Sequence, residues 1–333
     1  MNKRVLIATG GTGGHLLPAQ RLAEQLQAQA EVLFGGYKLS DSPYFDRERF
    51  SFEEIRSASR LREMGSLLRG TWQAMRLIWR TKPDVVVGFG SYHSAPILLA
   101  AVLLRKKIVL FEANRTMGKV NRWIAPFAKG VGCQFPLPKA TVVKPLSRVR
   151  VGTWTKQAAR EAYGLDPNCF TLLVVGGSQG ASFLNQVMPK VAERLPDAQV
   201  VHLAGNEVAA EQVREAYATK AHVKAFESEM AQAYGAADFV VCRSGAGTLS
   251  ELTEHELPAL LIPYPFAAGH QEMNAESLSE CGGTVCLRQR DASIDAIVAK
   301  ILDADRDRMR LALRTLSEQN RERIEFYELV LQI

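Results

Sequence analysis

The apolar positions of this chain fall into short continuous runs, separated by longer stretches in which they recur every three or four residues. In the first half the runs are residues 5–9, 32–34, 85–88, 108–111 and 131–133. In the second they are 172–175, 200–203, 239–242, 259–262 and 284–287. Runs without polar alternation predict strands buried on both faces. Helical patterns lie between them, among others at 18–28, 185–194, 207–217, 248–255 and 274–280. Strand and helix alternating in this way predict an α/β protein, with parallel sheets covered by helices on both faces.

The pattern occurs twice, and 333 residues suit two domains. The segment 144–155, KPLSRVRVGTWT, has no clear periodicity and marks the expected junction. The boundaries are then 1–147 and 148–313. Residues 306–333 read as helix with no strand after them, and about 314–333 is expected to cross back onto the first domain.

Composition adds bounds. The longest apolar run, 95–104, is about half of what a membrane span needs. The first apolar stretch reads as a strand running into glycines, not as a signal peptide. The five cysteines (133, 169, 242, 281, 286) are scattered and not in metal spacing, which suits buried thiols of the cytosol. Charge is uneven. Residues 1–150 carry 24 Lys and Arg against 10 Asp and Glu, and the remainder 17 against 25. A first half this basic points to an anionic partner: a membrane surface, a phosphate-rich substrate or nucleic acid. No base-reading module accompanies the charge, so nucleic acid is set aside.

Four of the predicted strands end in glycine turns: ATGGTGGH (8–15), GFGSYHS (88–94), VVGGSQGAS (174–182) and CRSGAGTLSE (242–251). Bare backbone lets amides approach an anion, and a following helix adds its positive dipole end. Four such turns at the carboxyl ends of strands, in two domains, predict a cleft for a long, phosphate-bearing ligand. A nicotinamide dinucleotide fits poorly. The third fingerprint glycine is missing, and the next strand ends in Phe34-Gly35-Gly36-Tyr37 without the ribose-binding acid. A serine hydrolase could use Gly176-Gly177-Ser178-Gln179-Gly180 with Asp238 and His270, but would leave the whole first sheet unexplained.

Six segments carry a resemblance. GGTGGHLLP, GFGSYHSAP, FEANRTMGKVNR, VVGGSQGAS, CRSGAGTLSE and PYPFAAGHQEMNA stand in the order found in the membrane-associated N-acetylglucosaminyltransferases of peptidoglycan synthesis. That branch of glycosyltransferase family 28 converts lipid I to lipid II. The resemblance spans nearly the whole chain. It implies the GT-B fold, two Rossmann-like domains facing across a cleft. It also implies inverting transfer of N-acetylglucosamine from UDP-GlcNAc to the muramyl 4-hydroxyl, with UDP released. The lipid-linked acceptor would bind mainly to the first domain and the donor to the second. Another GT-B UDP-sugar transferase with a lipid acceptor, or a non-catalytic nucleotide-sugar sensor at the membrane, remains the alternative.

The resemblance assigns residues. Ser178, Gln179 and Gly180 would hold the donor diphosphate and sugar, and Arg148 would offset charge on departing UDP. Arg243, Ala246, Gly247 and Thr248 belong to the fourth turn on the donor side, and Glu251 would accept from both ribose hydroxyls. His270 and Gln271, with Asn274 in the same segment, fall where the family contacts sugar hydroxyls. Phe226 and Glu227 fall where it binds uracil through the backbone, although an apolar residue is expected at 227. On the acceptor side stand Thr12, Gly13, Gly14, Tyr92 and Asn114, the last also near the donor sugar. The family's Glu-Gln-Asn reads Glu112-Ala113-Asn114 here.

His15, an imidazole beside a glycine turn, is the expected base or the residue that positions the acceptor. His93 reads as structural. No metal and no cofactor is required by this design. The Asp-x-Asp pair Asp303-Ala-Asp305 reads as a solvated charge run.

The segment 64–83 mixes Leu67, Leu68, Trp72, Met75, Ile78 and Trp79 with Arg69, Arg76 and Arg80 at helical spacing. That is the composition of an interfacial helix resting on anionic lipid, and also of an amphipathic helix packed on a core. The expected partners are UDP-GlcNAc, lipid I and an anionic membrane surface, with room for other cell-wall synthesis proteins. The expected location is peripheral, on the cytoplasmic face of the inner membrane.

Overall fold

The computed structural model describes residues 2–57, 64–147, 149, 151–266 and 269–333. It divides into two compact units, Met1–Arg148 with Glu322–Ile333, and Val149–Arg321.

The first unit is built on β1 (Lys3–Gly10), α1 (Gly13–Leu26), β2 (Ala30–Tyr37), β3 (Phe52–Glu54), α2 (Met64–Thr81), β4 (Val85–Gly88), α3 (Ala95–Leu103), β5 (Lys107–Glu112), α4 (Lys119–Ile124), β6 (Gly130–Cys133) and β7 (Thr141–Val142). Its sheet runs β3-β2-β1-β4-β5-β6-β7, every pair parallel. The strand order reverses between β1 and β4. The turns after those two strands, 10–14 and 89–93, therefore stand side by side, where doubly wound sheets bind ligands. One face of the sheet packs Val5, Ile7, Val85, Val87 and Val109 against Leu16, Leu22 and Leu26 of α1. The other packs Leu6, Val86, Ile108 and Leu110 against Ala74, Leu77 and Ile78 of α2 and Ile97 and Leu98 of α3. Full burial of such side chains contributes about 1.5–3 kcal/mol each.

The second unit repeats the plan with α5 (Lys156–Ala162), β8 (Phe170–Val175), α6 (Ser182–Glu193), β9 (Ala198–Leu203), α7 (Glu207–Ala216), β10 (Ala221–Lys224), α8 (Met230–Ala236), β11 (Phe239–Cys242), α9 (Ala246–Glu254), β12 (Ala259–Leu261), α10 (His270–Glu280), β13 (Thr284–Cys286), α11 (Ile294–Leu302) and α12 (Arg306–Arg321). The sheet order is β10-β9-β8-β11-β12-β13, again all parallel. Here the order reverses between β8 and β11, so turns 176–180 and 243–245 are neighbours. Both sheets meet the α/β expectation.

The C-terminal segment differs from the single helix read from sequence. It breaks after α12, and Ile324 forms a parallel bridge with Val143 before α13 (Phe326–Gln332) begins. Phe326 is fully buried against Phe89 and Phe111 of the first unit. Among the described residues no helix is long and apolar enough to cross a membrane.

Candidate active site

In the first unit the turn after β1 is packed closely by its neighbours. Gly10 and Gly11 have φ of +148° and +92°, and a Cβ on Gly10 would lie 2.9 Å from the Cβ of His93. His93 stacks on Tyr37 at 5.3 Å between ring centroids. Thr12 caps α1 by backbone geometry alone, without a side-chain cap bond. Gly13 is buried, while Thr12 and Gly14 are exposed.

His15 is anchored at both ends. Its backbone carbonyl accepts from the Thr9 hydroxyl at 3.2 Å, and its ring Nδ1 lies 2.8 Å from the Phe89 carbonyl oxygen. A carbonyl can only accept, so the proton sits on Nδ1 and Nε2 carries the bare lone pair. Burial lowers the pKa of His15 below the ordinary histidine value, partly offset by the Phe89 bond and by Glu112. A neutral imidazole with an available Nε2 is the form that a general base requires.

Glu112, at the end of β5, is buried and accepts four hydrogen bonds. They come from the Asn114 backbone N–H (3.1 Å), Asn114 Nδ2 (3.0 Å), the Gly118 N–H (2.9 Å) and Asn121 Nδ2 (3.0 Å). Asn121 Nδ2 also reaches the Phe111 carbonyl at 2.9 Å. Glu112 thus sets the orientation of Asn114, a role the sequence reading did not give it. The available signal was an acid ending a strand otherwise buried and apolar. Tyr92 is exposed, and its carbonyl accepts from the Ser57 hydroxyl at 3.2 Å.

In the second unit the turn after β8 is closed by a Gly180 N–H bond to the Gly177 carbonyl, 3.0 Å. Gly180 has φ +71°, and a Cβ there would lie 2.1 Å from the Ala204 carbonyl oxygen. Gly177 faces open space, with no atom within 4 Å of where a Cβ would stand. Ser178 is half-buried and Gln179 exposed beside it. Asn185 of α6 ties this turn to the next strand: its Nδ2 donates to Ala204 O at 3.0 Å, and its Oδ1 bonds His202 Nε2 at 3.0 Å.

After β11, Ala246 is buried while Gly247 is open and Thr248 half-buried. Arg243 turns inward. Its guanidinium donates to the carbonyls of Ile262 (2.9 Å) and Pro263 (3.1 Å) and to Gln289 Oε1 (2.7 Å). The buried Ser244 hydroxyl donates to the Gln271 carbonyl at 2.8 Å, and Asn274 Nδ2 to the Ser244 carbonyl at 3.3 Å. Asn274 is fully buried, so it holds α10 to the turn, whereas His270 and Gln271 are half-exposed. Gln271 Oε1 accepts from the Tyr264 N–H at 2.9 Å.

Glu251, on α9, accepts from the Tyr234 hydroxyl at 2.7 Å, and burial pushes its pKa up to about 7. Phe226 is exposed beyond β10. Glu227 points inward, accepting from Tyr163 Oη (2.8 Å), Lys224 Nζ (2.7 Å) and the Glu229 N–H (3.0 Å). That cage explains a charged residue at a position where an apolar one was expected. Arg148 lies outside the described residues. Among the described residues no group of three or more His, Cys, Asp or Glu is arranged to hold a metal ion.

On α2, Leu68 (68% exposed), Trp72 (58%) and Trp79 (79%) stand outward. Arg69, Arg76 and Arg80 are exposed with them, and the Arg76 guanidinium lies 4.8 Å from the Trp72 ring centroid. Leu67 and Met75 are half-buried, and Ile78 is fully buried. The helix therefore packs one side on the core and leaves an apolar-cationic side open.

Two doubly wound parallel-sheet units, each with open glycine turns at its switch point, define a GT-B glycosyltransferase. Models of the glycosyltransferase family 28 N-terminal and C-terminal domains match residues 5–133 and 171–329. The chain belongs to glycosyltransferase family 28. One relative, from Protochlamydia amoebophila (strain UWE25), is 42% identical over 301 residues, covering 83% of this chain and 80% of its own. Another, from Cronobacter sakazakii (strain ATCC BAA-894), is 38% identical over 321 residues, covering 91% and 90%. Both are named UDP-N-acetylglucosamine–N-acetylmuramyl-(pentapeptide) pyrophosphoryl-undecaprenol N-acetylglucosamine transferase. The crystal structure of Acinetobacter baumannii MurG superposes with a TM-score of 0.78 at 25% identity, covering 99% of this chain and all of that one.

Proposed function

We propose that this chain transfers N-acetylglucosamine from UDP-GlcNAc to the 4-hydroxyl of the muramyl sugar in undecaprenyl-diphosphate-linked MurNAc-pentapeptide, giving lipid II and UDP. The observation that carries the reading is the His15–Phe89 bond, which leaves Nε2 available as a base at the switch point of the first sheet. The names of relatives that match most of the chain support the substrates.

In this reading His15 Nε2 takes the hydroxyl proton as the oxygen attacks the anomeric carbon. The bond from that carbon to the UDP oxygen breaks, and the anomeric centre inverts. Asn114, oriented by Glu112, and Tyr92 stand with the acceptor beside Thr12, Gly13 and Gly14. The departing diphosphate is met by the amides of 177–180 and by Ser178 and Gln179, so the reading asks for no metal ion. Glu251 accepts from the ribose hydroxyls, and the backbone at Phe226 and Glu227 meets the uracil. His270, Gln271, Gly247 and Thr248 surround the sugar. Arg243 acts indirectly, by fixing the 262–263 segment, and Arg148 stays assigned to the UDP phosphates.

The open side of α2 supports peripheral attachment to an anionic membrane, where a polyprenyl substrate resides. The inner leaflet is the expected place, and other cell-wall synthesis proteins are the expected company.

The test is UDP release with a soluble lipid I analogue, comparing UDP-GlcNAc with UDP-glucose and with dTDP- and GDP-linked sugars. Turnover with UDP-GlcNAc, well above the other donors, is expected. Binding without turnover would favour a sensor and overturn the reading.

A further inference from the structure

The side chain that Glu251 leans on is as informative as Glu251 itself. Tyr234, on α8, is 1% exposed and stands among the largest fully buried side chains of the protein. A phenol so far from water needs a partner for its hydroxyl. That partner is Glu251 Oε2, at 2.7 Å.

The residues packed directly on the pair are neutral, and the nearest charge acting on Glu251 is of its own sign. Cys242, at the end of β11, is a thiol that burial and Glu251 hold protonated. His255, at the end of α9, packs its ring on Tyr234 at 5.1 Å, and burial pulls its pKa down to about 4, so it is neutral. Glu254, on the same helix, acts on Glu251 as a like charge. Arg243 spends its terminal nitrogens on Ile262, Pro263 and Gln289. Among the described residues no cation pairs with Glu251.

We propose that Tyr234 is a positioning residue for the nucleotide sugar: its hydroxyl fixes Oε2 of Glu251 and turns Oε1 toward the vicinal hydroxyls of the ribose. The inference rests on the assignment of Glu251 to the ribose. A carboxylate has about four lone-pair sites, and Tyr234 fills one of them. The remaining sites can accept from two neutral hydroxyls. Charge state follows from the same contact. Burial raises the pKa of Glu251, and the Tyr234 bond, which favours the ionised form, pulls against it. Removing the hydroxyl leaves Glu251 protonated over a wider pH range, when it can no longer accept from both ribose hydroxyls.

The experiment is the KM for UDP-GlcNAc between pH 6 and pH 9 in the parent, Tyr234→Phe and Glu251→Gln. Tyr234→Phe is expected to raise donor KM roughly five- to tenfold at pH 7, with kcat at saturating donor within about twofold. Part of the loss should return by pH 9, as Glu251 ionises, and the rest should persist because the carboxylate is no longer held in orientation. An unchanged KM, or a rise equal at every pH, overturns the proposal. Tyr234→3-fluorotyrosine keeps the ring and strengthens the donor, so it should move the acidic limb of donor binding to lower pH; an unmoved limb also overturns it. If Glu251→Gln leaves donor KM unchanged, the ribose assignment itself falls. If Glu251→Gln weakens binding while Tyr234→Phe does not, only the positioning role falls.

Discussion

His15 and Phe89 are joined by a 2.8 Å bond from the imidazole Nδ1 to the backbone carbonyl, which links the two turns flanking the switch point of the first sheet. The bond decides both tautomer and direction: the ring cannot rotate without losing it, and Nε2 is left as the acceptor. His15→Ala is expected to lower kcat by at least about 100-fold, the scale of lost general-base catalysis. Donor affinity, measured by calorimetry with UDP-GlcNAc, should stay within about twofold. A near-parental rate would remove His15 from the proton transfer.

Acidity should divide the two substrates. His15 is active when neutral, and its pKa is lowered from 6.5. The kcat limb therefore falls only as pH drops below 6.5. Glu251 must be ionised to accept from the ribose, and its pKa stands near 7. Donor KM should therefore rise as pH falls through about 7, before kcat begins to fall. Initial rates at saturating and limiting donor, from pH 5.5 to pH 8.5, separate the limbs; coincident limbs would contradict the assignment.

The same shift has a stability consequence. A carboxyl whose folded pKa is raised from 4.5 to about 7 favours folding at low pH and loses that contribution as pH rises through 7. Glu251→Gln removes the ionisation. It should stabilise the protein relative to the parent at pH 8 by on the order of 1–2 kcal/mol, and by less at pH 5. Thermal melts at the two pH values check the sign.

Glu112 accepts from four N–H groups, and a glutamine would turn a donor toward some of them. Glu112→Gln should cost about 2–3 kcal/mol of stability and reduce turnover, because Asn114 loses its hold. Chemical denaturation and initial rates measure both. Full activity would show that Asn114 does not depend on this cage.

Trp72 and Trp79 are exposed, so their loss should barely move stability, within about 0.5 kcal/mol. Trp72→Ala with Trp79→Ala should reduce binding to vesicles containing anionic lipid, while turnover of a soluble acceptor analogue persists. Unaltered vesicle binding would place the membrane contact elsewhere.

Much of this was legible in the chain itself. Central parallel strands are continuous apolar runs, so β1, β4, β5, β8 and β11 stood out, and the glycine turns after four of the predicted strands marked where a phosphate could approach. The strands that escaped notice are short and lie at edges or carry polar residues: β3 is Phe-Glu-Glu, β7 is Thr-Val and β10 is Ala-His-Val-Lys. Partnerships were harder to see. Tyr234 and Glu251 are separated by 17 positions with β11 between them, and no local pattern announces the bond. Arg243 reads as a ligand-facing cation in its motif, yet the nearby carbonyls of Ile262 and Pro263 draw it inward. On α2, helical spacing could not divide the apolar set between core and surface; packing assigned Ile78 to one and Trp79 to the other.

The most direct measurement of the central claim is the protonation of the His15 ring, by long-range proton–nitrogen NMR on protein labelled at histidine, with His15→Gln supplying the assignment. At neutral pH the account predicts a single proton on Nδ1 and an unprotonated Nε2. A proton on Nε2, alone or together with Nδ1, would contradict it.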